Sequence, residues 1–207
     1  MGLRERKKAQ TRDVLAEAAM RLFEARGFDA TTADDIAAAA DVSRRTFFRY
    51  FGAKEDAAFP LRAERLARFE HMLESAAGAT PFERAREAFL ALAEEYVADR
   101  ASLLRQSRVV EASPALTAHE LKLDRAWEDR LARALGDEID PPPFAARVAA
   151  GAVIGAIRAS LRAWFDTAGA ADLTTLGREA FGLLAAGLER PWARPSTTDD
   201  RARPQGG

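Results

Sequence analysis

The sequence has no cysteine and only two histidines among its 207 residues. Without cysteine there is no disulfide framework and no thiolate metal site, which suits a reducing cytoplasm. His71 and His119 stand far apart, and His119 has only the adjacent Glu120 beside it, so no metal is expected. The pair reads as surface. There is no glycine-rich phosphate loop, no strand-borne nucleophile and no acid pair that helical spacing forces together. An enzyme finds no support, and no cofactor is implied. Val, Ile and Thr never gather into alternating runs, so no sheet is expected. The opening residues, Met1 to Lys8, contain no apolar leader, and no apolar run reads as long enough to span a bilayer. The formal net charge is −1, so any hint of a nucleic-acid partner must be local rather than global.

What is present is helix-forming. Ala, Leu, Arg and Glu dominate, and 48% apolar residues supply a packed core. The pattern predicts an all-α chain of about nine helices. The first is expected over 10–26, with Leu15, Ala18, Ala19, Leu22 and Phe23 on one stripe. Gly27 stops it, and Phe28 folds back onto its last turn. Thr32 and Asp35 form a capping box for a short helix over 33–40. Asp41-Val42-Ser43 is a tight turn, in which Asp41 takes a left-handed position that glycine fills most easily. Ser43 caps a third helix ending at Phe51. Two short helices joined by a three-residue turn, behind a longer support, have the spacing of a helix-turn-helix.

Positive charge concentrates here. Arg4, Arg6, Lys7, Lys8 and Arg12 face one acid, Glu5, in the first turns. A solvated, frayed terminus and a DNA-facing arm read equally from them. The segment "DVSRRTFFRYF" is more specific. At about 100° per residue, Phe47 and Phe51 fall together toward the core with Val42. Arg45 and Arg49 fall together on the other side, flanked by Thr46 and Phe48, with Tyr50 at the edge. A duplex major groove accepts such a helix, because the arginine fork matches guanine O6 and N7 or a phosphate.

The stretch "TTADDIAAAADVSRRTFFRYFGAKED", with "RLFEARGFDATT" before it, resembles the DNA-binding domain of the TetR family of bacterial transcriptional regulators. The resemblance implies that Thr32, Ser43, Arg44, Arg45, Thr46, Phe48, Arg49, Tyr50 and Lys54 touch double-stranded DNA. Thr32, Ser43, Tyr50 and Lys54 would meet phosphates; Arg45 and Arg49 would read bases. Gly52-Ala53 departs from the family pattern. Ala53 has no side chain to cap the next helix, so the cap is expected from Gly52 or water.

That fourth helix is expected from Lys54, kinked at 58–60 by Pro60. Its stripe, Leu61, Leu66, Phe69, Met72 and Leu73, continues to about residue 77. Thr80-Pro81-Phe82-Glu83 opens a fifth helix to about residue 99. A short sixth helix follows. Ser113-Pro114 opens a seventh that ends at Gly136, and Pro141-Pro142-Pro143 is a stop. Helices over 143–166 and 172–189 complete the chain, and residues 191–207 read as a disordered tail. The eighth helix is apolar nearly all round and needs cover on several sides. A symmetric partner supplies it, with Gly151, Gly155, Ala159, Phe181 and Leu184 as the expected dimer interface. The expected division is 1–53 for DNA binding and 54–190 for ligand binding and dimerisation.

The segments "LLRQSRVVEASPAL", "WEDRLARALG" and "GAIRASLRAWF" resemble the ligand domain of TetR-type regulators of the mycofactocin-regulator-like subgroup, described as binding acyl-CoA-like ligands. The resemblance implies a pocket lined by Phe69, Met72, Phe89, Leu92, Tyr96, Leu104, Ser107, Val110, Leu123 and Trp127. Arg108 and Arg158 are candidate partners for a head group. Most of these side chains serve equally well as plain core. The expected function is a homodimeric repressor of a palindromic operator, released by a small apolar or acyl-CoA-like effector. The alternative is an all-helical small-molecule or lipid carrier, or interaction module, without specific DNA binding.

Overall fold

A computed structural model describes residues 2–75, 80–136 and 142–187, leaving the expected tail over 191–207 outside the described residues. Among the described residues nine α-helices follow one another: α1 Leu3–Arg26, α2 Ala33–Ala39, α3 Arg44–Tyr50, α4 Arg62–Ser75, α5 Pro81–Ala98, α6 Arg100–Glu111, α7 Pro114–Leu135, α8 Phe144–Asp166 and α9 Leu173–Ala185. A 3-10 turn, Glu55–Ala58, lies between α3 and α4. No strand occurs among the described residues.

The caps lie where the sequence puts them. Thr32 Oγ1 accepts the Asp35 N–H at 3.1 Å, and the Asp35 carboxylate accepts the Thr32 N–H at 2.9 Å. Thr80 and Glu83 repeat this box at α5. Ser43 takes the Thr46 N–H at 3.1 Å to start α3. Asp172 caps α9 by accepting the Thr174 and Thr175 N–H groups. Asp41 adopts φ +54°, the left-handed value that the turn between α2 and α3 demands.

Two elements differ from the sequence reading. First, α1 begins at Leu3 rather than Gln10. Lys7, Lys8 and Ala9 are good helix formers with no breaker among them, so the basic segment continues the helix. Second, no α-helix starts at Lys54. The 3-10 turn runs to Ala58, Phe59 and Pro60 break the path, and α4 starts at Arg62. Here the Ala53 N–H donates to the Asp56 carboxylate at 2.9 Å, so the acid half of a capping box replaces the expected Gly52 or water.

Two hydrophobic clusters organise the chain. Leu15, Phe23, Phe28, Ile36, Phe47 and Phe51 fill the first, together with Phe59. Val109, Val110 and Leu116, from α6 and α7, belong to the same cluster, so the second half of the chain supplies part of this core. Phe69, Phe89, Leu92, Trp127, Val153, Trp164 and Phe181 centre the second. Gly177 lets α9 lie close on α5: a Cβ there would sit 2.6 Å from Phe89 Cε1. α8 is long and apolar enough to cross a membrane by length and composition alone, which revises the sequence reading. Its inner face, including Ala150, Val153, Ile154, Ile157 and Trp164, is buried.

Candidate nucleic-acid interface

Seven residues make up α3, and their spacing sorts them. Phe47 is fully buried against Phe51, with ring centroids 5.5 Å apart. Phe48 meets Phe47 edge-on at 5.2 Å yet is 41% exposed, so an outward ring is held in a fixed pose. The three arginines are not equivalent. Arg44 pairs with Asp34 at 2.5 Å and lies 5.1 Å from the Phe48 ring centroid, tying α3 to α2. Arg45 and Arg49 are exposed and make no ion pair among the described residues; Arg49 lies over the Tyr50 ring at 5.2 Å. Two cationic forks, one turn apart, therefore stand ready for an acceptor outside the chain. Ser43 and Thr46 share a hydroxyl contact of 3.0 Å at the start of the same helix.

Other residues in the expected contact set are occupied elsewhere. Lys54 Nζ donates to the carbonyls of Phe28 and Thr31, both at 2.8 Å, and sits 3.7 Å from the Phe28 ring centroid. Its ammonium thus pins the connection between α1 and α2 to the start of the 3-10 turn. Thr32 is exposed, with its hydroxyl donating to Asp35. Within the basic stretch, Arg6, Lys7 and Lys8 are exposed, whereas Arg12 turns inward and forms a two-pronged pair with Glu64 of α4.

The side chains expected around a ligand are divided between the two cores and the surface. Phe69, Phe89, Leu92, Tyr96 and Trp127 are buried in the second core, with Met72 packed against it. The Tyr96 hydroxyl is held above its ordinary pKa by burial, partly offset by Arg65, whose guanidinium lies 4.8 Å from the ring centroid. Val110 belongs to the first core, and Leu123 packs against it. Leu104 is half-buried, Ser107 donates to Glu111 at 2.8 Å, and Arg108 is exposed. Arg158 approaches Asp124 at 3.6 Å, and Asp124 also pairs with Arg62.

A cavity of about 340 Å³ lies at the joint between the two cores, lined among others by Tyr50, Phe59, Pro60, Arg62, Leu123 and Trp127. Only Leu123 and Trp127 come from the expected ligand set. Ion pairs surround it. Arg12–Glu64 links α1 to α4, and Arg62–Asp124 links α4 to α7. His119 is half-buried rather than superficial: it shares a hydrogen bond with Asp56 at 2.9 Å and lies 5.8 Å from the Phe59 ring. Sequence reasoning missed this joint because its partners lie 52 to 63 residues apart. Pro60 was the one readable signal.

On the opposite end, α8 and α9 present an outer face. Phe144 is 73% exposed, Val148 54% and Leu183 44%. Gly155 and Gly182 lie on it, and a Cβ added to either would meet nothing within 4 Å among the described residues. Ala159 is exposed and Gly151 and Leu184 are half-buried. Phe181, expected at the interface, points into the second core and stacks on Phe89 at 5.8 Å.

A helix-turn-helix with an outward arginine face, carried on a larger helical body, defines a DNA-binding regulator. The chain belongs to the TetR family of bacterial regulatory proteins: residues 15–56 match the family's model and residues 79–189 match the MftR C-terminal domain. The transcriptional regulator TcmR of Streptomyces glaucescens is 38% identical over 139 residues, which cover 64% of this chain and 62% of TcmR. A Mycobacterium tuberculosis protein named for regulation of mycofactocin biosynthesis, MftR, is 27% identical over 191 residues, 89% of this chain and 94% of its own. Among solved structures, the Thermus thermophilus repressor FadR, in complex with lauroyl-CoA, superposes with a TM-score of 0.52 at 26% identity, covering 89% of this chain and 98% of that one.

Proposed function

We propose that the protein is a homodimeric repressor that reads a near-palindromic operator through α3 and releases it on binding a small apolar effector. One observation carries the reading: Arg45, Arg49 and Phe48 stand outward on a helix whose inner rings are locked into a core. An exposed phenylalanine between unpaired arginines suits the major groove, where a ring packs on a thymine methyl and a guanidinium on guanine. Residues 1–53 serve as the DNA-binding unit and 54–190 as the effector and dimer unit, in the cytoplasm. The outer face of α8 and α9 supports a two-fold dimer, since Gly155 and Gly182 answer to no packing need among the described residues. The lauroyl-CoA complex of Thermus FadR makes an acyl-CoA the first effector to titrate.

Fluorescence anisotropy with the promoter fragment of the protein's own gene tests this. The affinity should exceed that for random duplex and fall steeply with salt as counterions are released. Equal affinity for both duplexes favours the carrier reading instead.

A further inference from the structure

We infer that Asp34 is a specificity-determining residue of the DNA-reading face: it holds Arg44 back from the phosphates, so that Arg45 and Arg49 alone supply the free positive charge of α3; this rests on the reading of α3 as the operator-reading helix. Arg44, Arg45 and Arg49 lie within six residues of one another. Arg45 and Arg49, four apart, form one stripe. Arg44 and Phe48, also four apart, form the stripe beside it, on the flank of the face where a groove wall would stand. Two groups hold the Arg44 guanidinium on that flank. Its Nη1 donates to the Asp34 carboxylate of α2 at 2.5 Å, and it lies 5.1 Å from the Phe48 ring centroid. Phe48 is itself held in place, since it meets buried Phe47 edge-on at 5.2 Å.

The first turn of α2 carries two acids, and they do different work. Asp35 completes the capping box with Thr32 and pairs with Arg26 at 3.0 Å. The cap and the helix dipole are therefore served without Asp34. The Asp34–Arg44 pair adds little stability either, because its side chains are 60% and 61% exposed. What it changes is the charge that DNA meets. A free arginine on the flank would bind phosphate oxygens, which are the same in every sequence. Such a contact strengthens binding to any duplex, whereas recognition depends on the ratio of operator binding to the many competing sites. Paired with Asp34, the flank is neutral. In a complex without base contacts the backbone contacts are the whole of the binding, so a released Arg44 counts in full. In the operator complex Phe48 is seated against a base and keeps the guanidinium over its ring, so release adds less.

The test is anisotropy of the full chain on the promoter fragment and on random duplex, each over a salt series. Asp34→Asn keeps the side-chain shape and removes the charge. It should bind random duplex about fivefold more tightly at about 0.1 M salt and steepen the log–log salt slope by about 0.9 per subunit, one added phosphate contact. Promoter binding should tighten less than about twofold, so the ratio of the two affinities falls. Asp34→Glu retains the charge and should bind both duplexes as the parent does. Asp41→Asn removes an equal charge from the turn before α3 without releasing an arginine, and asparagine tolerates the left-handed φ of +54° there. It should leave random-duplex affinity within about twofold of the parent. Circular dichroism and urea unfolding check that each variant folds as the parent does. The inference is overturned if Asp34→Asn leaves random-duplex affinity and its salt slope unchanged, if it tightens promoter binding as much as random binding, or if Asp41→Asn matches it. A parent that binds promoter and random duplex alike sinks the operator reading instead, and the random-duplex series then still decides whether Asp34 withholds Arg44.

Discussion

Arg44, Arg45 and Arg49 share one short helix, and their surroundings give them different work. Arg44 spends its charge on Asp34, an exposed pair worth little to stability but fixing α2 against α3. Arg45 and Arg49 have no such partner among the described residues. Arg49→Ala should therefore cost about 1–3 kcal/mol of operator binding and relax base preference at one position per half-site. Arg44→Ala should weaken binding without changing preference; anisotropy on duplexes substituted base by base separates the two. Lys54 makes a contrasting case. Lys54→Met removes two charge-assisted bonds to backbone carbonyls and should lower unfolding stability by about 1–3 kcal/mol in urea. The split of α3 into Phe47 and Phe51 within and Arg45 and Arg49 without was legible from helical spacing alone. The roles of Arg12 and Lys54 were not: their partners lie 23 to 52 residues away in the chain, and one sequence carries no signal for such pairings.

At the scale of the element, caps and breakers were the readable part. Thr32, Ser43, Thr80 and Ser113 each start the helix their side chains announce, because capping is local chemistry. The break before α4 was legible in kind through Pro60. Its form, a 3-10 turn held by Asp56, depends on burial of Ala57, Ala58 and Phe59 in the first core. The expected effector set was not separable from plain core for a related reason: apolar residues on facing helices look alike in sequence whether they fill space or surround it. Two predictions belong here. Ala168 holds φ +50° between α8 and α9 while its carbonyl accepts from Arg100. Ala168→Gly should relieve that strain and stabilise by about 0.5–1 kcal/mol, read from chemical unfolding. Asp172 is lowered to a pKa of about 2, chiefly by the Thr174 hydroxyl and then by Thr175. A carboxyl lowered on folding stabilises fully above its unfolded pKa of about 4 and loses that contribution as pH falls through its folded value. The melting-temperature gap between the parent and Asp172→Ala should be full at neutral pH and shrink as pH drops from about 4 toward 2.

For the whole molecule, the proposed dimer and the proposed operator stand together, since two α3 helices can read two half-sites only if a two-fold axis fixes their spacing. Helical glycine costs about 0.5–1 kcal/mol relative to alanine, and Gly155 and Gly182 have open space beside them among the described residues, which suits the proposed dimer face. Gly155→Leu should leave the helical fold intact and convert the dimer to monomer in sedimentation velocity; an unchanged dimer would move the interface off this face. The regulator assignment itself is tested most directly by selection from a random duplex library with the parent and with Arg49→Ala. The account predicts that the parent enriches a two-fold symmetric sequence and that the variant loses preference at one symmetric pair of positions. Enrichment of no sequence by the parent, or of the same sequence by both proteins, would contradict it.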